Sequence, residues 1–246
     1  MIELKEYSAK TDKGPYLQIN EDDYDIDLSN KLFLIFDGFG GSNIGDQAVS
    51  FLKSEIKNFY TRFGSDPDST FPFSYSYKYL IEGNALINSM QYAQLAIRKE
   101  NGQKKELSER GGASAIAVAL AENIMTFVST GNCASYLYRN GFLNVITCPD
   151  TLKFSSKQNY RVPIHTCPMS GFGLFDDIYL QTRELRLFED DLIILMTDGV
   201  YGGLGEDELK FIIDKKQDDS KKINELFTFS NERGNLDNQT VILLRF

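Results

Sequence analysis

The run Leu32-Phe33-Leu34-Ile35-Phe36 is apolar at every position and stops at Asp37-Gly38. An apolar run of this length without alternation reads as a strand buried on both faces, so the chain has to build layers on either side of it. Leu192-Ile193-Ile194-Leu195-Met196-Thr197 repeats the pattern and stops at Asp198-Gly199. A carboxylate at the end of a buried strand is costly unless something compensates its charge. Two further acidic clusters, Glu21-Asp22 and Asp237-Asn238, lie near the two ends of the chain. Four oxygen-rich clusters without a histidine beside them suit a hard cation, Mg²⁺ or Mn²⁺, and not zinc.

Composition narrows the field further. The chain has 26 basic and 35 acidic residues, a net charge of −9, which argues against a nucleic-acid partner. Cys133, Cys148 and Cys167 form no CxxC pair, so neither a disulfide framework nor a zinc site is expected. No stretch approaches the ~20 apolar residues of a membrane span, and the N-terminus lacks a signal-peptide core. These features predict a soluble cytoplasmic protein without membrane contact.

Periodicity sets the order of elements. Strands and turns are expected over the first 45 residues, then a helix over 46–63 with Val49, Leu52, Ile56, Phe59 and Phe63 on one face. A loop follows over 64–77, its aromatic run Phe71-Pro72-Phe73-Ser74-Tyr75-Ser76-Tyr77 reading as packed chain rather than docking surface. A second helix carries Leu86, Met90, Ala93 and Ile97, and 100–112 is a polar connection. Strands are expected at 115–121, 124–130 and 134–139, with a hairpin at Asn140-Gly141. Residues 147–177 read as a long irregular excursion, of the kind that is often functional. Strands resume at 178–185 and 192–197, helices follow near 206–216 and 219–231, and a strand closes the chain at 240–246. Acidic clusters at both ends would have to meet, which argues for a single domain over 1–246. The pattern is α+β, two antiparallel sheets with helices packed outside.

A pair of divalent ions about 3.5–4 Å apart clamps a phosphorus centre for in-line attack and activates the water between them. Asp37 suits a bridging position, and Gly38 would let a backbone carbonyl approach an ion closely. The run 38–45 is not a dinucleotide fingerprint, because position 43 is Asn, and no P-loop lysine follows. His165, the single histidine, has no nucleophile signature beside it and reads as a loop residue.

The ordered set Thr11-Asp12-Lys13-Gly14, Asn20-Glu21-Asp22, Asp37-Gly38-Phe39-Gly40-Gly41, Gly131-Asn132, Asp198-Gly199 and Asp237-Asn238 resembles the metal-dependent serine/threonine protein phosphatases, the PPM or type 2C family. The likeness runs from about residue 8 to the C-terminus. It implies a four-layer α-β-β-α sandwich, two antiparallel sheets flanked by helix pairs. It also implies two Mn²⁺ or Mg²⁺ ions and a phosphoprotein substrate. Asp37 would bridge both ions and Gly38 would offer its carbonyl, Asp198 and Asp237 would hold the first ion, and Glu21, with Asp22 beside it, would face the second directly or through water. Asp37, Asp198 and Asp237 are the residues on which turnover would depend. A water between the ions would attack phosphoserine or phosphothreonine without a covalent intermediate.

The chain departs from that family pattern at four positions. Leu17 stands where a phosphate-gripping arginine is usual, and Gln18 and Arg161 are candidate substitutes. Asn132 and Gly202 replace acidic ligands of a third metal, so that site is expected to be lost. Ser42 replaces a histidine. Leu17, Asn132 and Gly202 also motivate an alternative, a pseudophosphatase that binds a partner without turnover. A third reading keeps the two-metal hydrolase but gives it a small phosphate ester.

Overall fold

The computed structural model describes residues 2–40, 43–64, 70–154 and 165–246. In chain order its elements are β1 (Glu6–Asp12), β2 (Asp22–Asp27), β3 (Leu32–Phe39), α1 (Ile44–Gly64), α2 (Ile81–Gly102), β4 (Gly112–Ala121), β5 (Ile124–Thr130), β6 (Ala134–Arg139), β7 (Phe142–Thr147), β8 (Thr151–Phe154), β9 (His165–Pro168), β10 (Gln181–Arg186), β11 (Leu192–Met196), α3 (Asp198–Tyr201), α4 (Glu206–Ile213), α5 (Asp219–Glu232) and β12 (Gln239–Arg245). One five-stranded sheet runs β1-β12-β11-β6-β7, the other β10-β5-β4-β3-β2, and β8 pairs with β9 in a separate hairpin. Every pairing is antiparallel.

Alternation along β3 and β11 creates the layers. Phe33 and Ile35 face Ile193, Leu195, Ile242 and Leu244 in the core between the sheets. Leu32, Leu34 and Phe36 turn the other way, against Leu52 and Ile56 of α1 and Leu86 and Met90 of α2. On the far side Leu192, Ile194 and Met196 meet Leu209 and Ile213 of α4 and Leu226 of α5. Both runs are apolar throughout because each strand has a core on both faces. The expected four layers are therefore present.

Some boundaries differ from the sequence expectation. The strand expected at 115–121 begins at Gly112, because its partner β3 continues through Gly38 and Phe39, opposite Ala113 and Gly112. The strand expected at 178–185 is β10, which pairs with β5 only from Gln181 to Arg186. The excursion at 147–177 contains the hairpin β8–β9, too short and polar to show a period; residues 155–164 lie outside the described residues. The helix expected at 206–216 ends at Ile213, and the single turn α3 was not expected. The Asn140-Gly141 hairpin forms with both residues at positive φ, 52° and 79°. Buried Asn84 and Asn88 tie the aromatic loop to α2, Asn88 accepting from the Phe73 amide at 3.0 Å and Asn84 from the Ser76 amide at 2.7 Å. Tyr75 and Tyr77 of that run remain exposed.

Candidate metal centre

Antiparallel pairing brings the acidic clusters to one end of the sandwich. A strand's last residues lie beside its partner's first, so Asp22 at the start of β2 stands directly opposite Asp37 near the end of β3. By the same rule Asp198, just past β11, lies at the end from which β12 departs, with Asp237 just before it. Asp237 acts electrostatically on Glu21, Asp22, Asp37 and Asp198. All five carboxylates named from the sequence thus converge.

Their environments differ. Asp22 is buried, and its Oδ2 accepts from the hydroxyls of Thr197 at 2.8 Å and Thr240 at 2.9 Å. Burial, the largest cause, pushes its carboxyl well above the usual range despite those two donors. Asp198 Oδ2 accepts from Asn132 Nδ2 at 2.7 Å and from the Thr166 hydroxyl. Burial and then Asp237 raise the Asp198 carboxyl to about 6. Asp37 is the extreme case. Its carboxyl contacts that of Asp198, while its buried Oδ2 accepts no hydrogen bond from a donor among the described residues. Burial first, then Asp198, Asp22 and Asp237, drive it far upward. The thiol of Cys133 is buried beneath the group, and burial raises it as well.

Two carboxyl groups in contact need a proton or a cation between them. Among the described residues no three acidic, histidine or cysteine side chains already surround a single point as a finished ligand set; Glu21, Asp22 and Asp198 are each tied by hydroxyl or amide donors. The donor chemistry nevertheless fits a hard divalent ion. It is all oxygen, Asp22 and Asp198 are buried, and Asp37 Oδ2 is an orphaned acceptor.

Glu21 is held by the start of α1. Its Oε1 accepts from the Gly45 amide at 3.0 Å, at the N-terminus of α1, where a carboxylate also complements the helix dipole. Its burial raises the carboxyl while that hydrogen bond lowers it. Gly38 and Gly199 are required for close approach. A Cβ on Gly38 would lie 2.4 Å from the Glu21 carbonyl oxygen, and one on Gly199 would lie 1.8 Å from that of Asn238.

Sequence reasoning missed the residues that bind the site together. Asn238 accepts from the Glu21 amide at 2.8 Å and donates to the carbonyls of Lys13 and Ile19 at 2.9 and 3.0 Å. It thereby clips the N-terminal loop to the C-terminal strand. Thr197, Thr240 and Thr166 were likewise not singled out, although hydroxyls beside strand-end aspartates are a readable signal. Leu17 is 38% exposed and Gln18 is also exposed, whereas Gly41, Ser42 and Arg161 lie outside the described residues.

No family model matches the chain. Among curated proteins it is similar to the serine/threonine phosphatase stp of Listeria monocytogenes serotype 4b, with 24% identity over 96% of this chain and 93% of that protein. Among solved structures it is similar to the Mycobacterium tuberculosis serine/threonine phosphatase PstP/Ppp, with a TM-score of 0.77 and 20% identity over 98% of each chain. A PstP catalytic domain in complex with two manganese ions superimposes with a TM-score of 0.72 at 20% identity, over 98% of this chain and 97% of that one.

Proposed function

This chain is a protein of the PPM family, and on that footing we propose that it hydrolyses phosphoserine and phosphothreonine in proteins, with two Mn²⁺ or Mg²⁺ ions. The observation that carries this reading is the contact of Asp37 with Asp198 around a buried oxygen that accepts no hydrogen bond. Asp22, Asp37, Asp198, Asp237 and the Gly38 carbonyl would hold the ions. Glu21, already bonded to Gly45, would act from the periphery. Bound divalent ions neutralise phosphate charge and bring the pKa of a coordinated water toward neutrality.

The protein's own contribution is preorganisation. Thr197 and Thr240 converge on one oxygen of Asp22, and Asn132 and Thr166 on one oxygen of Asp198, which fixes both carboxyl planes. Asn132 supplies an amide donor where the family places an acidic ligand, so we read the third metal site as lost, with Gly202 at its other anchor. The whole chain, 1–246, serves as one catalytic domain. Among the described residues no helix is long and apolar enough to cross a membrane. Free thiols at Cys133, Cys148 and Cys167 suit the reducing cytoplasm, where reversal of kinase signalling would occur.

The test is phosphate release from a phosphothreonine peptide with and without Mn²⁺. Chelator-sensitive release supports the proposal; absence of release under Mn²⁺ saturation overturns it. One observation favours the pseudophosphatase reading, the occupation of Asp198 Oδ2 by Asn132 and Thr166. That reading requires Mn²⁺ to raise thermal stability without turnover. A small aryl phosphate assayed beside the peptide separates a non-protein substrate from both.

A further inference from the structure

The hairpin β8–β9 lies outside the two large sheets, yet it reaches the carboxylates. Thr166 of β9 donates to Asp198 Oδ2, and its Oγ1 accepts from Asn132 Nδ2 at 3.0 Å. In the β8–β9 ladder the residue directly opposite Thr166 is Lys153. Directly opposed residues project from the same face of a two-stranded ladder. Lys153 therefore shares the face that Thr166 turns toward the site.

Its ammonium position agrees. Lys153 Nζ lies 5.7 Å from the centroid of the Tyr201 ring, and the Tyr201 hydroxyl donates to the Asn132 carbonyl. The same Asn132 bonds Asp198, so Lys153 is linked to the carboxylate cluster through Tyr201 and Asn132. Lys153 is exposed, and no carboxylate lies within ion-pair distance of it among the described residues. A cation without a counter-charge, carried on a flexible stem at the edge of an acidic site, is suited to receive an anion. Among the described residues the charged side chains that the site itself brings together are carboxylates.

We propose that Lys153 is a substrate-binding residue, the point charge from the hairpin that receives the phosphate group of the phosphopeptide. The inference rests on the phosphatase reading above, and it adds a specificity-determining group to it. Lysine donates from a single centre and tolerates several approach directions, so it would set affinity more than orientation.

The test compares Lys153→Met and Lys153→Arg with the wild type, all loaded with Mn²⁺. Calorimetry reads inorganic phosphate binding and Mn²⁺ binding, and kinetics separates KM from kcat on a phosphothreonine peptide. Lys153→Met should weaken phosphate binding and raise KM about tenfold, the loss expected for one charge-assisted hydrogen bond, with kcat and Mn²⁺ affinity unchanged. Lys153→Arg should restore most of both. Unchanged phosphate affinity in Lys153→Met overturns the proposal. So does a parallel loss of Mn²⁺ affinity, which would mark Lys153 as a support for Tyr201. If the wild type binds phosphate but releases none from the peptide, the phosphatase reading fails while the binding comparison still decides the role of Lys153.

Discussion

Asp22 and Asp37 face each other directly across the β2–β3 ladder. Like charges at opposed positions, with side chains about 4.5–5.5 Å apart, destabilise a sheet. Burial makes the arrangement costlier, because Asp37 Oδ2 has no donor among the described residues and its carboxyl also contacts Asp198. The protein retains a local defect at the position proposed to bridge the two ions.

Replacing Asp37 by Asn should therefore separate stability from function. The amide would donate to Asp198 and remove one buried charge. Metal-free Asp37→Asn is expected to be more stable than metal-free wild type by about 1–3 kcal/mol, the scale of relieving one unsatisfied buried group. Mn²⁺ should no longer raise its melting temperature, and phosphate release should be lost. Urea unfolding with and without Mn²⁺ checks both signs.

A contrasting carboxylate lies at the opposite end of β11. Asp191 is fully buried and accepts from Arg139 Nε and Nη2, both at 2.6 Å. Arg139→Ala would leave that charge buried without its cation, at a cost of about 3–5 kcal/mol. Asp191→Asn in the same background should recover part of the loss. Denaturant midpoints of the single and double variants measure this.

Leu17 offers a gain-of-function test. It is partly exposed, and an arginine there would add a bidentate phosphate grip. Leu17→Arg is expected to raise kcat/KM for a phosphopeptide by about tenfold, mostly through KM. An unchanged KM would show that the side chain at 17 does not reach the substrate.

Acid sensitivity has a surface contribution with a definite sign. Lys215, and then Gln217, hold the Glu225 carboxyl below its usual value. A depressed carboxylate stabilises the fold above its unfolded pKa, and the contribution disappears as pH falls through the folded value. Glu225→Gln should be slightly less stable than wild type at pH 7. The difference should shrink once the pH falls below the ordinary glutamate value of about 4.3. Paired melts at the two pH values test the sign; a gap that widens on acidification would contradict it.

The layers were legible because Leu32–Phe36 and Leu192–Met196 are apolar at every position, which only a strand with two covered faces requires. Asp37 and Asp198 were legible because each ends such a run abruptly. The hairpin β8–β9 was not legible. Thr151–Phe154 and His165–Pro168 are four residues each, mix polar and apolar side chains, and take their order from pairing with one another. Lys153 was invisible for the same reason, since its relation to the site exists only through its register with Thr166. Asn238 was read as half of an acidic pair, whereas its amide bonds to positions more than two hundred residues away in the chain. Long-range hydrogen bonds leave no local period.

The most direct measurement is phosphate release from a phosphothreonine peptide as a function of Mn²⁺ concentration, for the wild type and Asp198→Asn. Wild-type release should rise from background to saturation with Mn²⁺ and collapse on chelation, while Asp198→Asn should stay near background at every concentration. Wild-type release that ignores Mn²⁺, or an Asp198→Asn variant that matches the wild type, would contradict the account.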